Sequence, residues 1–277
     1  MAYCEQILKH LLGLQYIICS VLIIQGGLIP SVKAEDQMAR TIMEKVDARD
    51  DGDNLTCKME MQLIDRNQNI RKRIIQLYVK DFGKDTYTIQ FFVDPPDLKN
   101  TAFLSFDYDG NKDDDQWLYL PALRRTKRIA TDDKTSSYMG SDFTYADLTK
   151  IEINDYDFRL LKEDEVNGQK VWIIESHPKT EDIVKKYGYD KSIIFIRKDN
   201  YVLIRAILWV HKSNKLKYMD VISLKKIDTI WTAETITMTT KKDKQMEHKT
   251  ILNYYHIQYN QPLTDQTFTV RRMEKGL

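Results

Sequence analysis

Between residues 55 and 258 the chain repeats one pattern so often that few folds can hold it. Leu55, Cys57, Met59, Met61 and Leu63 alternate with Thr56, Lys58, Glu60 and Gln62, the period-two signature of a strand with one buried face. A polar turn at 65–69 follows, and 70–80 returns with Ile75, Leu77 and Val79 on one face. Further strands are expected over 87–93, 101–108, 116–120, 157–162, 170–177, 192–197, 201–211, 216–224, 231–240 and 248–258, with Asn167-Gly168 and Asp199-Asn200 as hairpin turns. Against these stands one strong helical segment, 35–48. There Met38, Ile42 and Val46 recur every four residues with Ala39 and Met43 beside them, Glu35 and Asp36 suit the N-terminal dipole, and Asp51-Gly52 ends the run. This balance predicts a mainly β protein, a large antiparallel sheet curling towards a barrel or half-barrel. Nothing from 35 to 277 reads as a linker, so one domain is expected.

Several strands are apolar on both faces. In 201–210, Val202, Ile204, Ala206, Leu208 and Val210 lie opposite Tyr201, Leu203, Ile207 and Trp209, and in 87–93 Phe92 lies opposite Tyr87, Ile89, Phe91 and Val93. A sheet with one solvated face alternates cleanly, so something covers the second face here. From pattern alone two covers stay open. One is protein, as the N-terminal helix and a C-terminal segment; the other is a hydrophobic cavity for a lipid or acyl chain.

The inventory removes common chemistries. Lys and Arg number 42 against 41 Asp and Glu, a net charge of +1 that supplies no bulk attraction to nucleic acid. None of the ten glycines forms a G-x-G pair, so the dinucleotide and Walker A loops are absent. Cys4, Cys19 and Cys57 have no zinc or dithiol spacing, and Cys57 on an apolar strand face reads as an inert thiol. The acidic stretch 106–115 has Lys112 and Leu118 where a calcium loop needs Gly and Glu, so it reads as a solvated turn. His177, His211, His248 and His256 are scattered without ligand spacing. A hydrolase would need His177 or His256 beside a carboxylate and a nucleophile. No cofactor, metal or catalytic residue is expected.

Lys9 and His10 precede an uncharged run over 11–32 that loosens at Gly26, Gly27 and Pro30, with Val32 and Ala34 at the −3 and −1 positions. This is the layout of a secretory signal over 1–34, leaving 35–277 as the exported chain. The alternative is an uncleaved anchor in the inner membrane, because the run is long enough to span a bilayer. Cleavage would leave Cys57 as the only thiol, so stability would rest on the core rather than on a disulfide.

The stretch 116–129, Gln-Trp-Leu-Tyr-Leu-Pro-Ala-Leu-Arg-Arg-Thr-Lys-Arg-Ile, followed at 138–148 by Tyr-Met-Gly-Ser-Asp-Phe-Thr-Tyr-Ala-Asp-Leu, resembles the signature of the outer-membrane lipoprotein-sorting protein family, relatives of the LolA periplasmic carriers. The segments 96–101 and 263–269 fit the same order, although Asn100 stands where the family pattern has Gly. The resemblance implies a strongly curved antiparallel sheet forming an incomplete, half-open β-barrel of LolA/LolB type, with a few helices covering the concave face. It implies a non-enzymatic periplasmic carrier in the cell envelope that binds acyl chains of a lipoprotein or lipid and moves them towards the outer membrane. An inner-membrane transporter and an outer-membrane acceptor would be its partners. The alternative is an envelope structural or interaction module of the same fold without cargo. Candidate cavity residues are Tyr87, Ile89, Phe91, Leu118, Ile194, Ile207, Trp209 and Met238; candidate rim residues, for headgroups or a partner, are Trp117, Tyr119, Arg124, Arg125 and Arg128.

Overall fold

The alternating stretches form a single antiparallel sheet in the computed structural model, which describes residues 32–110 and 112–277. Residues 1–31 of the expected signal segment lie outside the described residues. After helix α1 (Val32–Asp47), strands β1 (Asn54–Asp65), β2 (Ile70–Phe82), β3 (Asp85–Asp94), β4 (Ala102–Asp107), β5 (Asp115–Leu120) and β6 (Arg125–Arg128) make one meander. Strands β7 (Tyr156–Val166), β8 (Gln169–Pro178), β9 (Tyr189–Arg197), β10 (Leu203–Val210), β11 (Lys215–Ile227), β12 (Ile230–Lys242) and β13 (Gln245–Tyr259) make a second, with α2 (Glu181–Tyr187) between β8 and β9 and α3 (Val270–Lys275) after β13. Pairing of β1 with β13, Met61 opposite Leu252, joins the meanders into a 13-stranded sheet whose edges are β6 and β7. The edges do not meet, so the architecture is a half-open barrel. Both edges carry charge, Arg125, Lys127 and Arg128 on β6 and Lys162, Glu163, Asp164 and Glu165 on β7, which discourages pairing with a foreign strand.

Each expected strand coincides with an observed one, although 101–108 overruns β4 and 201–211 overruns β10 at both ends. β10 starts at Leu203 rather than Tyr201, because Tyr201 takes φ +57° to close the turn from β9. Asn167-Gly168 turns with both φ values positive, 50° and 76°, as a two-residue hairpin of this hand requires. Asp228-Thr229 and Asp243-Lys244 do the same without glycine, so composition did not signal them. β6, α2 and α3 are too short to show a period. The two helices are held by their caps: Thr180 Oγ1 accepts from Ile183 N at 3.3 Å and Thr269 Oγ1 from Arg272 N at 3.1 Å.

On α1 the buried seam is Ala39, Ile42, Met43 and Val46, while Met38, expected on the apolar face, is 44% exposed. The small Ala39 lets the helix lie close to β7, and burying Ile42 contributes roughly 1.5–3 kcal/mol. After the helix Gly52 sits at φ +83°, where an added Cβ would stand 2.8 Å from Tyr259 Cδ1 and 3.1 Å from Ile230 Cδ1. Gly52→Ala is therefore expected to lower the stability measured by urea unfolding by about 1–2 kcal/mol. A midpoint equal to wild type would show that Tyr259 yields without cost.

Three apolar clusters share the two sheet faces. On the inner face, Met59, Met61, Leu63, Ile75, Phe92, Phe103, Leu118, Met238 and Leu252 pack beneath the segment 129–148, and Phe158, Ile174, Ile194, Ile196 and Ala206 pack beneath α1. Leu208 and Met219 touch both groups, so the inner apolar surface is continuous. On the outer face of β3–β5, Ile89, Phe91, Ala102 and Leu104 lie beneath Leu263, Phe268, Val270 and Met273. The second apolar face of β3 is thus covered by the C-terminal segment, whereas on β10 no cluster covers Ile207 and Trp209, which stay half-buried. Cys57 is buried and free, and burial pushes its thiol up to about 12, which removes its nucleophilicity at neutral pH.

Candidate functional site

The segment 129–148 between β6 and β7 is built of short 3-10 turns and one isolated bridge, Ser137 to Thr144. Its Ser, Thr and Asp residues satisfy the backbone locally and so compete with regular structure: Thr144 N donates to Asp147 Oδ2 at 2.8 Å, and Asp147 N donates to Thr144 Oγ1 at 3.1 Å. What binds the segment to the sheet is a set of rings and polar anchors. Tyr138 is buried among Phe103, Tyr145 and Phe92, at centroid distances of 5.3, 5.5 and 6.4 Å, and its hydroxyl donates to Gln90 Oε1 at 2.9 Å. Arg73 donates to Met139 O, and Gln116 Nε2 donates to Tyr145 O at 2.9 Å. Lys134, 2% exposed, donates to Asp114 O at 2.8 Å. Burial pulls its ammonium pKa down while Asp114 opposes the shift.

The strongest anchor is Asp142. Its Oδ1 accepts from Thr240 Oγ1 at 2.5 Å, its Oδ2 accepts from Thr250 Oγ1 at 2.7 Å and meets His248 Nδ1 at 2.6 Å, and its own N–H donates to Thr250 Oγ1 at 2.9 Å. With both carboxylate oxygens already accepting, His248 carries the Nδ1 proton. A further tie runs to the second meander, where Tyr189 Oη donates to Asp147 at 2.9 Å and Lys217 Nζ donates to Tyr189 Oη at 3.1 Å. Burial lowers the Lys217 pKa, against the pull of Asp147 and Asp142. A cleft of about 670 Å³ runs beside these anchors, with Ser137, Gly140, Tyr187, His211 and Lys215 among its walls. The inner face is therefore apolar beneath its cover and polar where the cover is tied down.

A second, open groove of about 750 Å³ lies between α1 and the β7 edge, lined by Gln37, Arg40, Tyr156, Phe158, Glu175 and His177. Lys191, His177 and Arg159 gather round Glu175 at 3.0, 3.3 and 2.8 Å and hold its carboxyl down to about 2. The groove's lining has no Ser, Thr or Cys to act as nucleophile. Among the described residues no three His, Cys, Asp or Glu side chains converge as a metal would require.

The candidate cavity residues divide between the two faces. Leu118 and Met238 lie under the segment 129–148, and Ile194 lies under α1. Tyr87, Ile89 and Phe91 lie on the outer face beneath the C-terminal segment, together with Trp117 and Tyr119. Ile207 and Trp209 alternate with the inward Ala206 and Leu208, so they face outward, with Lys191 Nζ 4.7 Å from the Trp209 ring. Of the candidate rim, Arg124 closes the β5–β6 turn at φ +46°, Arg125 stands opposite Leu120, and Arg128 pairs with Asp115. Sequence reasoning passed over Tyr138, Asp142, Phe143 and Tyr145 as site residues. The segment has no period, and beyond the family resemblance over 138–148 its signal is three aromatic rings within a polar stretch.

Comparison with known proteins bears on this arrangement. A family model described only as an uncharacterized protein matches residues 84–275. An outer membrane lipoprotein-sorting protein domain from Vibrio parahaemolyticus is 30% identical, with a TM-score of 0.78 over 86% of this chain and 99% of that one. This chain belongs to the outer-membrane lipoprotein-sorting protein family. A DUF1329 family protein from Desulfovibrio piger is 26% identical with the same TM-score, 0.78, over 86% of this chain and 99% of its own. A LolA superfamily protein from Nitrosomonas europaea, 16% identical, has a TM-score of 0.64 over 84% of this chain and 98% of its own, a likeness of fold. Among proteins of curated function none matches. The family match takes in the whole 129–148 cover, with Asp142 and its partners Thr240, His248 and Thr250.

Proposed function

We propose that this protein is a non-enzymatic carrier that takes acyl chains of a lipoprotein or lipid against its inner face and moves them through the periplasm towards the outer membrane. The observation that carries the reading is the continuous inner apolar surface, closed by a segment with almost no ladder hydrogen bonds of its own. Membership of a sorting family supports it. Lifting 129–148 would uncover Leu118 and Met238 and extend to Ile194, replacing the rings of Tyr138, Phe143 and Tyr145 by cargo. An acyl chain of about 14 methylenes offers on the order of 10 kcal/mol of burial, before the costs of ordering it and displacing the cover. Tyr87, Ile89 and Phe91 would join such a site only if the C-terminal segment also moved, and Ile207 and Trp209 only from outside. Trp117, Tyr119, Arg124, Arg125 and Arg128 would serve as contacts for headgroups, an inner-membrane donor or an outer-membrane acceptor. Export would use residues 1–34 as a cleaved signal.

Mass spectrometry of protein isolated from its native envelope is expected to find bound acyl lipid or lipoprotein and a polypeptide beginning at Glu35. Delipidated protein is expected to take up a hydrophobic fluorophore that an added fatty acyl chain displaces. Absence of both lipid and dye binding would favour the second reading, an envelope interaction module of the same fold. That reading has its own support, since the inner face is already filled by the chain's own rings.

A further inference from the structure

The chain is almost neutral overall, but the meander topology sorts its charges. In an antiparallel sheet successive turns alternate between the two ends. The registers place the β1–β2, β5–β6, β10–β11 and β12–β13 turns on one rim, and the β2–β3, β4–β5 and β7–β8 turns on the other. The first rim is basic. Its β1–β2 turn carries Arg66 and leads into Arg71 and Lys72; its β5–β6 turn carries Arg124 and Arg125; its β10–β11 turn carries Lys212; and its β12–β13 turn carries Lys242 and Lys244. The opposite rim is richer in acid, with Asp81 and Asp85 around the β2–β3 turn, Asp109 and Asp113 in the β4–β5 connection, Asp115 at the start of β5, and Glu163 to Glu165 before the β7–β8 turn, against Lys198 in the β9–β10 turn and Lys225 and Lys226 before the β11–β12 turn.

The acids on the basic rim are mostly engaged. Asp65 is tied to Asn67 and Asn69, Asp243 accepts from Asn214 Nδ2 at 3.0 Å, and Glu247 pairs with Lys215 at 2.7 Å. In the β8–β9 connection beside the β10–β11 turn Asp182 pairs with Lys185, and Glu181 there and Asp190 at the start of β9 face His211, while Asp94 at the end of β3 and Asp97 in the β3–β4 connection have no ion pair among the described residues. Ion pairs among the described residues engage Lys72 and Lys215 on this rim, and leave Arg66, Arg71, Arg124, Arg125, Lys242 and Lys244 with none. The same rim exposes two large apolar side chains, Leu123 on the 3-10 turn after β5, 66% exposed, and Ile70 at the start of β2, 54% exposed. Arg124, in the left-handed region, follows Leu123 directly at the tip of the hairpin.

We infer that this rim docks on an anionic phospholipid surface, with Leu123 and Ile70 entering the headgroup layer and the unpaired Arg and Lys side chains meeting phosphates. The charge complements an anionic bilayer, and basic residues flanking isolated apolar ones match an interface where charge attracts and apolar atoms penetrate. The rim richer in acid would then face away, so docking also fixes the orientation of the half-barrel. This inference does not depend on acyl cargo. Empty protein would dock, and lipid-free protein bound to vesicles would separate it from the carrier reading.

Co-sedimentation of the purified protein with phosphatidylglycerol vesicles and with phosphatidylcholine vesicles tests it. Binding is expected only to the former, and is expected to fall as salt rises. Arg124→Glu with Arg125→Glu, and separately Lys242→Glu with Lys244→Glu, should each lower the partition about tenfold or more. Leu123→Asp should weaken binding that remains at high salt. Lys225→Glu with Lys226→Glu, on the opposite rim, should leave binding unchanged, and all four are surface changes whose folding circular dichroism can verify. Equal partition into the two vesicle types, or basic-rim variants that bind as well as the opposite-rim variant, would overturn the inference. So would a rim that captures only an acidic protein and no vesicle.

Discussion

Asp142→Ala is expected to lower the free energy of unfolding by about 3 kcal/mol and to raise binding of a hydrophobic dye to the folded protein. The carboxylate is the hub through which the inner cover holds β12 and β13, taking Thr240, Thr250 and His248 at 2.5–2.7 Å. Truncation leaves two buried hydroxyls and the His248 Nδ1–H without their acceptor, a desolvation cost that packing cannot recover. Asp142→Asn should cost about half as much, because its carbonyl still accepts from one threonine while its amide meets His248 donor to donor. Dye binding is the discriminating readout. A purely structural residue would lower stability alone, whereas loosening the cover should uncover Leu118, Met238 and their neighbours before global unfolding. Urea titration and dye fluorescence side by side measure both. Unfolding and dye uptake equal to wild type would show that the rings of Tyr138 and Tyr145 hold the cover without Asp142.

Asp107→Asn should act in the opposite direction and only at the higher end of the pH range. Burial pushes the Asp107 carboxyl up to about 7, the charges of Asp114 and Glu152 add to the rise, and the Lys150 backbone N–H, donating to Oδ2 at 2.6 Å, opposes it. The folded chain therefore holds a proton that the unfolded chain, at the ordinary carboxylate value of 3.8, has released. Stability should fall as pH rises from about 4 to about 7 and then level off, with an upper bound of about 4 kcal/mol for the loss. The side chain is only half-buried and shares its environment with Asp114, so about 2 kcal/mol is the expected size. Asn keeps an oxygen for the Lys150 N–H and never ionises. The variant should match wild type near pH 4, exceed it at pH 8, and show a flatter pH profile of thermal midpoints. Equal midpoints at pH 8 would mean that water reaches Asp107 in the native state.

Much of the sheet was legible because a period of two is written residue by residue. Met59, Met61 and Leu63 are inward in the sequence pattern and buried in the structure. Where both faces are apolar that pattern loses its power to assign sides. Phe91 and Phe92 are both buried, one under the C-terminal segment and the other under the 129–148 cover. Composition cannot say which is which, and Ile207 and Trp209 met the same ambiguity. Met38 shows the limit on a helix: a four-residue recurrence defines a stripe, but whether its edge is buried depends on the contour of β7 and β8. The cover was the least legible part. Its anchors join Asp142 to Thr240, His248 and Thr250 across about a hundred residues of sequence, and no local spacing encodes such a contact.

By itself the sequence determined the class of protein: many alternating strands, one strong helix, no phosphate loop, no metal spacing, and a family signature over 116–148. Each of these is a property of neighbours in the chain. Only the tertiary structure decided which apolar face is inner, that the chain's own tyrosines fill it, and that a nearly neutral protein has one basic rim and one richer in acid. The reason is topological. A meander reverses direction at every turn, so charges that are mixed along the sequence are separated by strand length in space, and side chains a hundred residues apart become hydrogen-bond partners.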